Sequence, residues 1–332
     1  MAEKLGTRDV YGVELAKLGE TNKDIVVLTA DLAGSTKVSK FGKNFPDRFF
    51  NLGVAEQDMM GMAAGLAAAG KIPFVSTFAV FASGRAWEQI RQSICLPKLN
   101  VKIVATHGGI TVGPDGASHH SVEDIGLMRG LPNMSVIMPC DGHETSAAIK
   151  FAANHKGPIY IRLSREKFPV IFDENCPFEL GKASVVRDGN DLTFVMCGIM
   201  VHIALDAAKI LNEEGIKVRV INSSSIKPLD KNLILAAAEE TGAIITGEEH
   251  SIINGLGSAV AELLSENCPV HLKRIGIEDC FGQTGDSRDL MEHYGLTSEA
   301  LVKTAKDILK KKQNNPSEKL YSPSTDAVLE QA

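Results

Sequence analysis

The sequence predicts an α/β protein built from two consecutive domains, each with a mostly parallel sheet flanked by helices. Short β-rich apolar runs alternate with helical stretches from one end of the chain to the other, which is typical of parallel sheets. A length of 332 residues suits two domains. The alternation is interrupted by the proline-containing stretch at 167–183, which indicates a connection between the domains.

The positions of the apolar runs predict the individual elements. Strands of the first domain are expected at 25–29, 49–54, 72–77, 101–106, 136–138 and 159–163, with helices at 8–21, 56–69, 84–95, 121–129 and 142–155. Strands of the second domain are expected at 192–197, 217–222, 243–247 and 270–275, with helices between and after them. The predicted boundaries are 1–172 for the first domain, 173–190 for a linker, 191–311 for the second domain and 312–332 for a polar tail that we expect to be disordered.

Composition argues against several classes of protein. The net charge is −6 and there is no arginine-rich run, so nucleic acid is not an expected partner. The longest apolar run, 59–69, is far shorter than the roughly 20 residues that a membrane span needs. The N-terminus is polar and has no secretory signal. Six cysteines without a C-x-x-C pair are expected to be reduced core residues of a cytoplasmic protein.

Chemically useful side chains follow the predicted strands of the first domain, one strand after another. Ligands of open parallel sheets bind at the carboxyl ends of the strands, so this rim is the predicted site. Simpler interpretations exist for single residues: Asp31 as a helix N-cap, the two phenylalanines as core, Arg165 as a surface ion pair. A metal site is disfavoured because the histidines lack helical i, i+4 spacing. The residues on the rim are Asp31, Glu56, Phe78, Phe81, His107, Asp115, His119, His120 and Arg165.

Glu56 raises a question of its own, because it stands at the start of a segment with almost no polar residue, "MMGMAAGLAAAG". A helix that is apolar on all sides is buried, and Gly61 and Gly65 at i, i+4 suit close packing. A carboxylate at the end of such a helix needs a partner. That partner is expected to be a ligand nitrogen that shares its proton, unless Glu56 is a solvated first-turn residue favoured by the helix dipole.

The motifs together resemble the C-terminal portion of transketolases, which are thiamine-diphosphate enzymes. Any one motif would be weak, but their shared order is specific and covers most of residues 5–170. The second half resembles the C-terminal domain of the family more loosely, through "VRVINSSSIKPLD" and "GEEH". The segments of the first half are "TRDVYG", "TADLAGS", "GVAEQDMMGMAAGLA", "STFAVFASGRAWEQIR", "ATHGGITVGPDGASHH", "LPNMSVIMPCDGHE" and "YIRLSREKFP".

The resemblance implies a role for every rim residue except His120, and it adds Arg8 and Ser35. Glu56 corresponds to the catalytic glutamate that bonds the aminopyrimidine of thiamine diphosphate and so controls a proton. Phe78 and Phe81 correspond to aromatics around that ring, whereas Gly84 and Arg85 stand where a third aromatic often lies. Asp31 corresponds to an acid near the thiazolium side. His107, Asp115 and His119 correspond to sugar contacts, with both histidines counted as catalytic, and Arg8, Ser35 and Arg165 correspond to phosphate contacts.

The resemblance also implies an absent half. Thiamine-diphosphate enzymes hold the diphosphate through Mg²⁺ on a Gly-Asp-Gly stretch followed by an asparagine, and this sequence contains no Gly-Asp-Gly. We therefore expect no metal site in this chain. An N-terminal transketolase subunit would carry it, in an α₂β₂ assembly whose sites lie between chains. The apolar helix after Glu56 would form part of that interface.

The function implied is a transketolase subunit of carbohydrate metabolism, as in the pentose phosphate pathway. It would move a two-carbon ketol unit from a ketose phosphate to an aldose phosphate. Alternatives are the beta subunit of the decarboxylating component of a 2-oxo-acid dehydrogenase, a deoxyxylulose-phosphate synthase, and a related enzyme for an unusual sugar phosphate. A non-catalytic scaffold is disfavoured, because folding does not require these residue types together.

Overall fold

The computed structural model describes residues 3–314. The first domain alternates strands and helices as the sequence predicts. Its strands are β1 (Lys4–Gly6), β2 (Ile25–Thr29), β3 (Phe49–Asn51), β4 (Ile72–Phe78), β5 (Lys102–Thr106), β6 (Ser135–Ile137), β7 (Ile159–Arg162) and β8 (Lys167–Pro169). Its helices are α1 (Thr7–Thr21), α2 (Ser39–Asn44), α3 (Glu56–Ala68), α4 (Trp87–Gln89), α5 (Asp124–Arg129) and α6 (Gly142–Asn154).

The second domain repeats this alternation, and the predicted α/β class is confirmed for both. Its strands are β9 (Ser184–Arg187), β10 (Leu192–Met196), β11 (Val218–Asn222), β12 (Ser225–Lys227), β13 (Ala243–Ser251) and β14 (His271–Ile277). Its helices are α7 (Met200–Glu213), α8 (Lys231–Thr241), α9 (Leu256–Asn267), α10 (Ser287–His293) and α11 (Ser298–Asn314).

Two main sheets organise the molecule. The first has seven strands in the order β12-β6-β7-β5-β4-β2-β3, and the second has five in the order β14-β13-β10-β11-β9. Strands β2 to β7 of the first sheet are parallel, so their carboxyl ends share one edge. Strand β12 belongs by sequence to the second half but pairs antiparallel with β6, which joins the two domains through the first sheet.

The segment between the domains is ordered rather than free. Strand β8 pairs antiparallel with β1, and Asp141 Oδ2 accepts hydrogen bonds from the amides of Ile171 and Phe172 at 2.7 and 2.9 Å. The predicted linker 173–190 contains β9, which forms the edge of the second sheet. Helix α11 continues to Asn314, so the first part of the expected disordered tail is helical. Residues 315–332 of that tail lie outside the described residues.

Two predicted helices differ from those observed. The expected helix 84–95 is a short α4 between two π-helical segments, Phe81–Arg85 and Ile90–Cys95. Wide π turns are rare and occur often at functional sites, and sequence periodicity does not reveal them. The expected helix 121–129 begins only at Asp124, because Ser121 stays in an extended bridge with Gly108.

Within this chain helix α3 is buried on one face only, so its expected burial on all sides stays a prediction that depends on another element packing on it. Met59, Met60 and Ala63 are fully buried against the sheet. The opposite face carries Gly61 and Gly65, and a Cβ added at either would meet nothing within 4 Å in the described part of the chain. This face is closed only if another element packs on it. Across residues 3–314, the helices are too short or too polar to cross a bilayer.

Candidate active site

Glu56 is buried at the first residue of α3, and its partner is an arginine. Its side chain is 1% exposed, and its Oε2 lies 2.8 Å from Nη1 of Arg85. The Arg85 guanidinium also lies over the ring of Phe81, 4.9 Å from the centroid. Gln57 donates to the Arg85 carbonyl at 3.2 Å, which secures the turn. Glu56 is therefore not a solvated first-turn residue, and Arg85 supplies its counter-charge.

Phe78 and Phe81 form an aromatic platform with two histidines. The phenylalanine rings stack with centroids 5.9 Å apart and planes at 12°. His107 stacks on Phe78 at 3.8 Å, and His119 meets Phe81 edge-on at 5.4 Å. Phe78 is 6% exposed and Phe81 is half-buried, so the pair is anchored in the core and still presents a ring face at the rim. A flat heteroaromatic ring has a suitable surface here.

His107 is held as a neutral imidazole with an assigned tautomer. Its Nε2 lies 3.1 Å from Nη1 of Arg8, and a guanidinium only donates, so Nε2 accepts. The proton is then on Nδ1, which donates to Thr106 Oγ1 at 2.8 Å. Burial, with the charges of Arg8 and Arg165, lowers the pKa of His107 to about 3. His107 therefore contributes an uncharged polar group at neutral pH.

A cationic cluster lies beside His107. Arg8 also donates to the carbonyl of Ser35 at 3.1 Å, which links the two predicted phosphate contacts. Arg165 donates to the Val112 carbonyl at 2.6 Å and lies 3.5 Å from Asp115. Burial lowers the pKa of Arg8, and the charge of Arg165 lowers it further. The guanidiniums of Arg8 and Arg165 together form a suitable receptor for an oxyanion.

Strained backbone marks the same rim. Three residues have positive φ angles that residues other than glycine rarely adopt: 59° at Asp31, 69° at Lys37 and 59° at His107. Such strain persists only where surrounding contacts enforce it, and it concentrates at functional sites. Lys37 pairs with Asp9 at 3.1 Å and adds charge near His107; the sequence analysis did not single it out.

Asp31 is not a helix cap. Residues 33–38 form turns, and the next helix, α2, begins only at Ser39. The Asp31 amide donates to Asn51 Oδ1 at 2.9 Å, and its exposed side chain stands at the end of β2. Asn51, at the end of the neighbouring β3, is a second residue that the sequence analysis missed.

The described residues fit one half of thiamine diphosphate. A buried carboxylate beside a stacked aromatic pair suits the aminopyrimidine, which offers a ring face and hydrogen-bonding nitrogens. Residues 3–314 contain no group of three or more His, Cys, Asp or Glu side chains placed to hold a metal ion. His120, for example, turns its Nε2 to the Gly113 carbonyl at 3.0 Å.

Replacing Arg85 with glutamine should lower the free energy of unfolding of this chain by about 1–3 kcal/mol, because Glu56 becomes a buried carboxylate without a counter-charge. Urea unfolding at neutral pH measures it. Arg91→Gln, an exposed arginine on the adjoining turn, is the matched control and should change little. The double variant Glu56→Gln/Arg85→Gln should lose less than the two single losses added. Equal losses in Arg85→Gln and Arg91→Gln would contradict the pairing.

The neutral His107 predicts an acid-sensitive fold. Its pKa is about 3 when folded and near 6.5 when unfolded, so between these values the unfolded chain binds the extra proton. Stability should therefore fall by about 1.4 kcal/mol for each pH unit below roughly 6, and the loss should end near pH 3. Urea midpoints of the wild type and His107→Gln between pH 7 and 4.5 test this. Parallel curves would show that His107 is not the group responsible.

Comparison with known proteins agrees with this geometry. The model of the transketolase pyrimidine-binding domain matches residues 3–170, and the model of the transketolase C-terminal domain matches residues 181–301. A putative transketolase C-terminal section from Methanocaldococcus jannaschii is 49% identical over 309 residues, which are 92% of this chain and 97% of the relative. A 6-deoxy-6-sulfo-D-fructose transketolase subunit from a Clostridium species is 44% identical over 92% of this chain and 95% of its own length.

A solved structure gives the same result. A split-gene transketolase, described as an inactive β4 tetramer, superposes with a TM-score of 0.87 at 52% identity, covering 92% of this chain and 99% of that one. Both domains and nearly the full length of each relative are thus matched. The chain belongs to the transketolase family and comprises the pyrimidine-binding and C-terminal domains of that family.

Proposed function

We propose that this chain is the catalytic-glutamate subunit of a two-chain transketolase that moves a two-carbon ketol unit from a ketose phosphate to an aldose phosphate. One observation carries the proposal: an unbroken strip of contacts joins the buried carboxylate to the cationic cluster. Arg85 links Glu56 to Phe81, Phe81 stacks on Phe78, Phe78 stacks on His107, and His107 bonds Arg8.

Each part of the strip has a distinct role. When bound, thiamine diphosphate supplies the carbanion chemistry of the reaction. Glu56 holds or releases a proton at a pyrimidine nitrogen, in a position shielded from water. Phe78 and Phe81 would hold the pyrimidine ring between them and the protein, and Asp31 would lie on the thiazolium side. His107 and His119 meet the sugar's carbonyl and hydroxyls, with His107 as a neutral hydrogen-bonding group.

The cationic cluster binds the charged end of the sugar. The proposed contacts to this charged group are Arg8, Ser35 and Arg165. Asp115 pairs with Arg165 and also contacts a hydroxyl of the sugar. A guanidinium group can donate paired hydrogen bonds to any tetrahedral oxyanion, so it can bind a sulfonate as well as a phosphate. The Clostridium relative is named for a sulfonated sugar. Whether the terminal group of the substrate is a phosphate or a sulfonate is therefore a point for experiment.

A partner subunit completes the site. It would supply the Gly-Asp-Gly stretch, Mg²⁺ and the diphosphate contacts, in an α₂β₂ assembly. Two observations support this: the sequence lacks Gly-Asp-Gly, and the Gly61–Gly65 face of α3 is open in the described chain. The solved split-gene relative is described as an inactive β4 tetramer, which is in keeping with a requirement for a second kind of chain.

Reconstitution tests the proposal directly. The chain is mixed with a Gly-Asp-Gly partner subunit, thiamine diphosphate, Mg²⁺, xylulose 5-phosphate and ribose 5-phosphate. Formation of sedoheptulose 7-phosphate is the expected result, with none from either chain alone. Parallel reactions with 6-deoxy-6-sulfofructose as donor and with 2-oxo acids test the alternatives. Turnover of a 2-oxo acid without any ketol transfer would overturn the proposal in favour of a dehydrogenase component.

A further inference from the structure

The loop 107–121, which carries Asp115 and His119, is packed against the second domain along its length. Three of its glycines, Gly109, Gly113 and Gly116, have positive φ of 88°, 76° and 73°. A Cβ at Gly109 would lie 2.2 Å from the Glu249 carboxyl group, and one at Gly116 would lie 2.5 Å from Oγ1 of Thr284. Only glycine lets the backbone approach the second domain this closely.

Hydrogen bonds cross the same boundary at Thr111. The Thr111 amide donates to Oε1 of Glu249 at 2.6 Å, and the Thr111 carbonyl accepts from the Ser287 hydroxyl at 3.3 Å. Both backbone groups of one loop residue are thus bound by the second domain. Glu249 is fully buried, and its Oε2 has no hydrogen-bond partner among the described residues. The pKa of Glu249 is raised because the group is buried, and the charge of Arg162 offsets only part of this effect.

Arg162, which lies in the first sheet, holds the backbone of Glu249 and the end of the loop in place. Its Nη2 donates to the Glu249 carbonyl at 2.8 Å and to the Ser121 carbonyl at 3.0 Å. Its Nε donates to Asp124 at 2.9 Å. The backbone that carries Glu249 is therefore anchored independently of the carboxylate, which leaves that carboxylate free to act on the loop.

We propose that the second domain positions the sugar-contacting loop, and that Glu249 is the positioning residue that does so through the Thr111 amide. Without this bond, the Thr111 amide has lost its acceptor and residues 109–116 open more often, while the sheets remain intact. The consequence for sugar binding rests on the proposed function, since it concerns Asp115 and His119 as substrate contacts. The fixed path of the loop does not depend on that function.

A second buried glutamate provides a matched control. Glu144 is also buried, with 5% of its surface exposed; its Oε2 accepts from the Cys140 amide at 2.7 Å, and its Oε1 accepts from Asn222 of the second domain at 2.8 Å. It joins the two domains as Glu249 does, and burial raises its pKa as well. Its hydrogen bonds reach no residue of the 107–121 loop. If Glu249 only held the two domains together, replacing either glutamate should therefore have the same effect on hydrogen exchange in the loop.

The test uses hydrogen–deuterium exchange on the full chain alone. Glu249→Met removes the acceptor at similar volume and should speed amide exchange within 109–116 by about tenfold or more, the effect of losing one buried hydrogen bond. Exchange in β4 should stay unchanged. Glu249→Gln keeps an acceptor oxygen and should restore slow exchange. Glu144→Met should leave the loop protected, and equal acceleration in both Met variants would overturn the proposal.

Two further measurements keep the test decisive. Ser287→Ala removes the hydroxyl bond to Thr111 and should speed exchange in the same loop by a few fold, about the effect of one weaker bond, even if Glu249→Met fails to fold. In the reconstituted enzyme, Glu249→Met should raise KM for the ketose by about tenfold and leave thiamine diphosphate affinity unchanged. Loop exchange as expected, without ketol transfer to any sugar, would refute the proposed function and leave the positioning role standing.

Discussion

Replacing Glu56 with glutamine should lower turnover of the reconstituted enzyme by about 10²–10⁴-fold, the usual contribution of a positioned acid–base group. Glutamine has the same shape but cannot hold and release the proton. The side chain is 1% exposed, so water has no access through this chain to take over its role. Ketol transfer at saturating thiamine diphosphate, with assembly checked by sedimentation, measures the effect.

The neighbouring Asp58 provides the control for this variant. It lies in the same first turn of α3, carries the same charge and is exposed, so Asp58→Asn should retain nearly full turnover. Glu56→Gln should still fold and associate with the partner, because its shape is conserved. Near-normal turnover in a correctly assembled Glu56→Gln enzyme would show that the carboxylate is not the proton carrier.

Replacing Arg162 with methionine should have the largest effect on stability, about 3–5 kcal/mol. Arg162 is 1% exposed and pairs with Asp124, which is fully buried; Tyr160 also donates to Asp124 at 2.7 Å. Without the guanidinium, Asp124 keeps a single neutral donor for a charge deep in the protein. The carbonyls of Ser121 and Glu249 lose a donor as well. Urea unfolding followed by circular dichroism measures the loss.

A surface pair calibrates this prediction. Lys209 contacts Asp206 at 2.9 Å, and the two side chains are 68% and 64% exposed, so Lys209→Gln should cost only about 0–1 kcal/mol. Because the loss of stability comes from the unpaired Asp124 carboxylate, Arg162→Met/Asp124→Leu should be more stable than Arg162→Met alone. If the double variant is the weaker of the two, the loss reflects packing rather than an uncompensated carboxylate.

Much of the first domain is predictable because its elements are local. Strand β2 was predicted at its observed bounds, and β4, β5, β6 and β7 within one residue at each end, since each is an apolar run closed by polar or glycine residues. The π-helical turns around α4 were not predictable. An extra residue in a helical turn leaves no periodic signature, and here it places Arg85 rather than an aromatic beside Phe81.

The contributions of the second domain cannot be read from local sequence, because they act between residues that are far apart in the chain. Three residues of β12 complete the first sheet, and such a short strand has little pattern of its own. Glu249 lies in "GEEH", a motif noted only for its resemblance to relatives. Its bond to Thr111 spans 138 positions, and composition and periodicity have no information at that range.

By itself, the sequence determined which side chains lie on the rim, because parallel strands must end at the same edge and each strand is followed by its own polar residue. Only the tertiary structure decided what those side chains pair with. Glu56 takes Arg85 as counter-ion across 29 positions, and Arg8 holds His107 neutral across 99. Burial makes each of these pairings strong, and burial depends on how helices and loops pack over the sheet rather than on any local pattern.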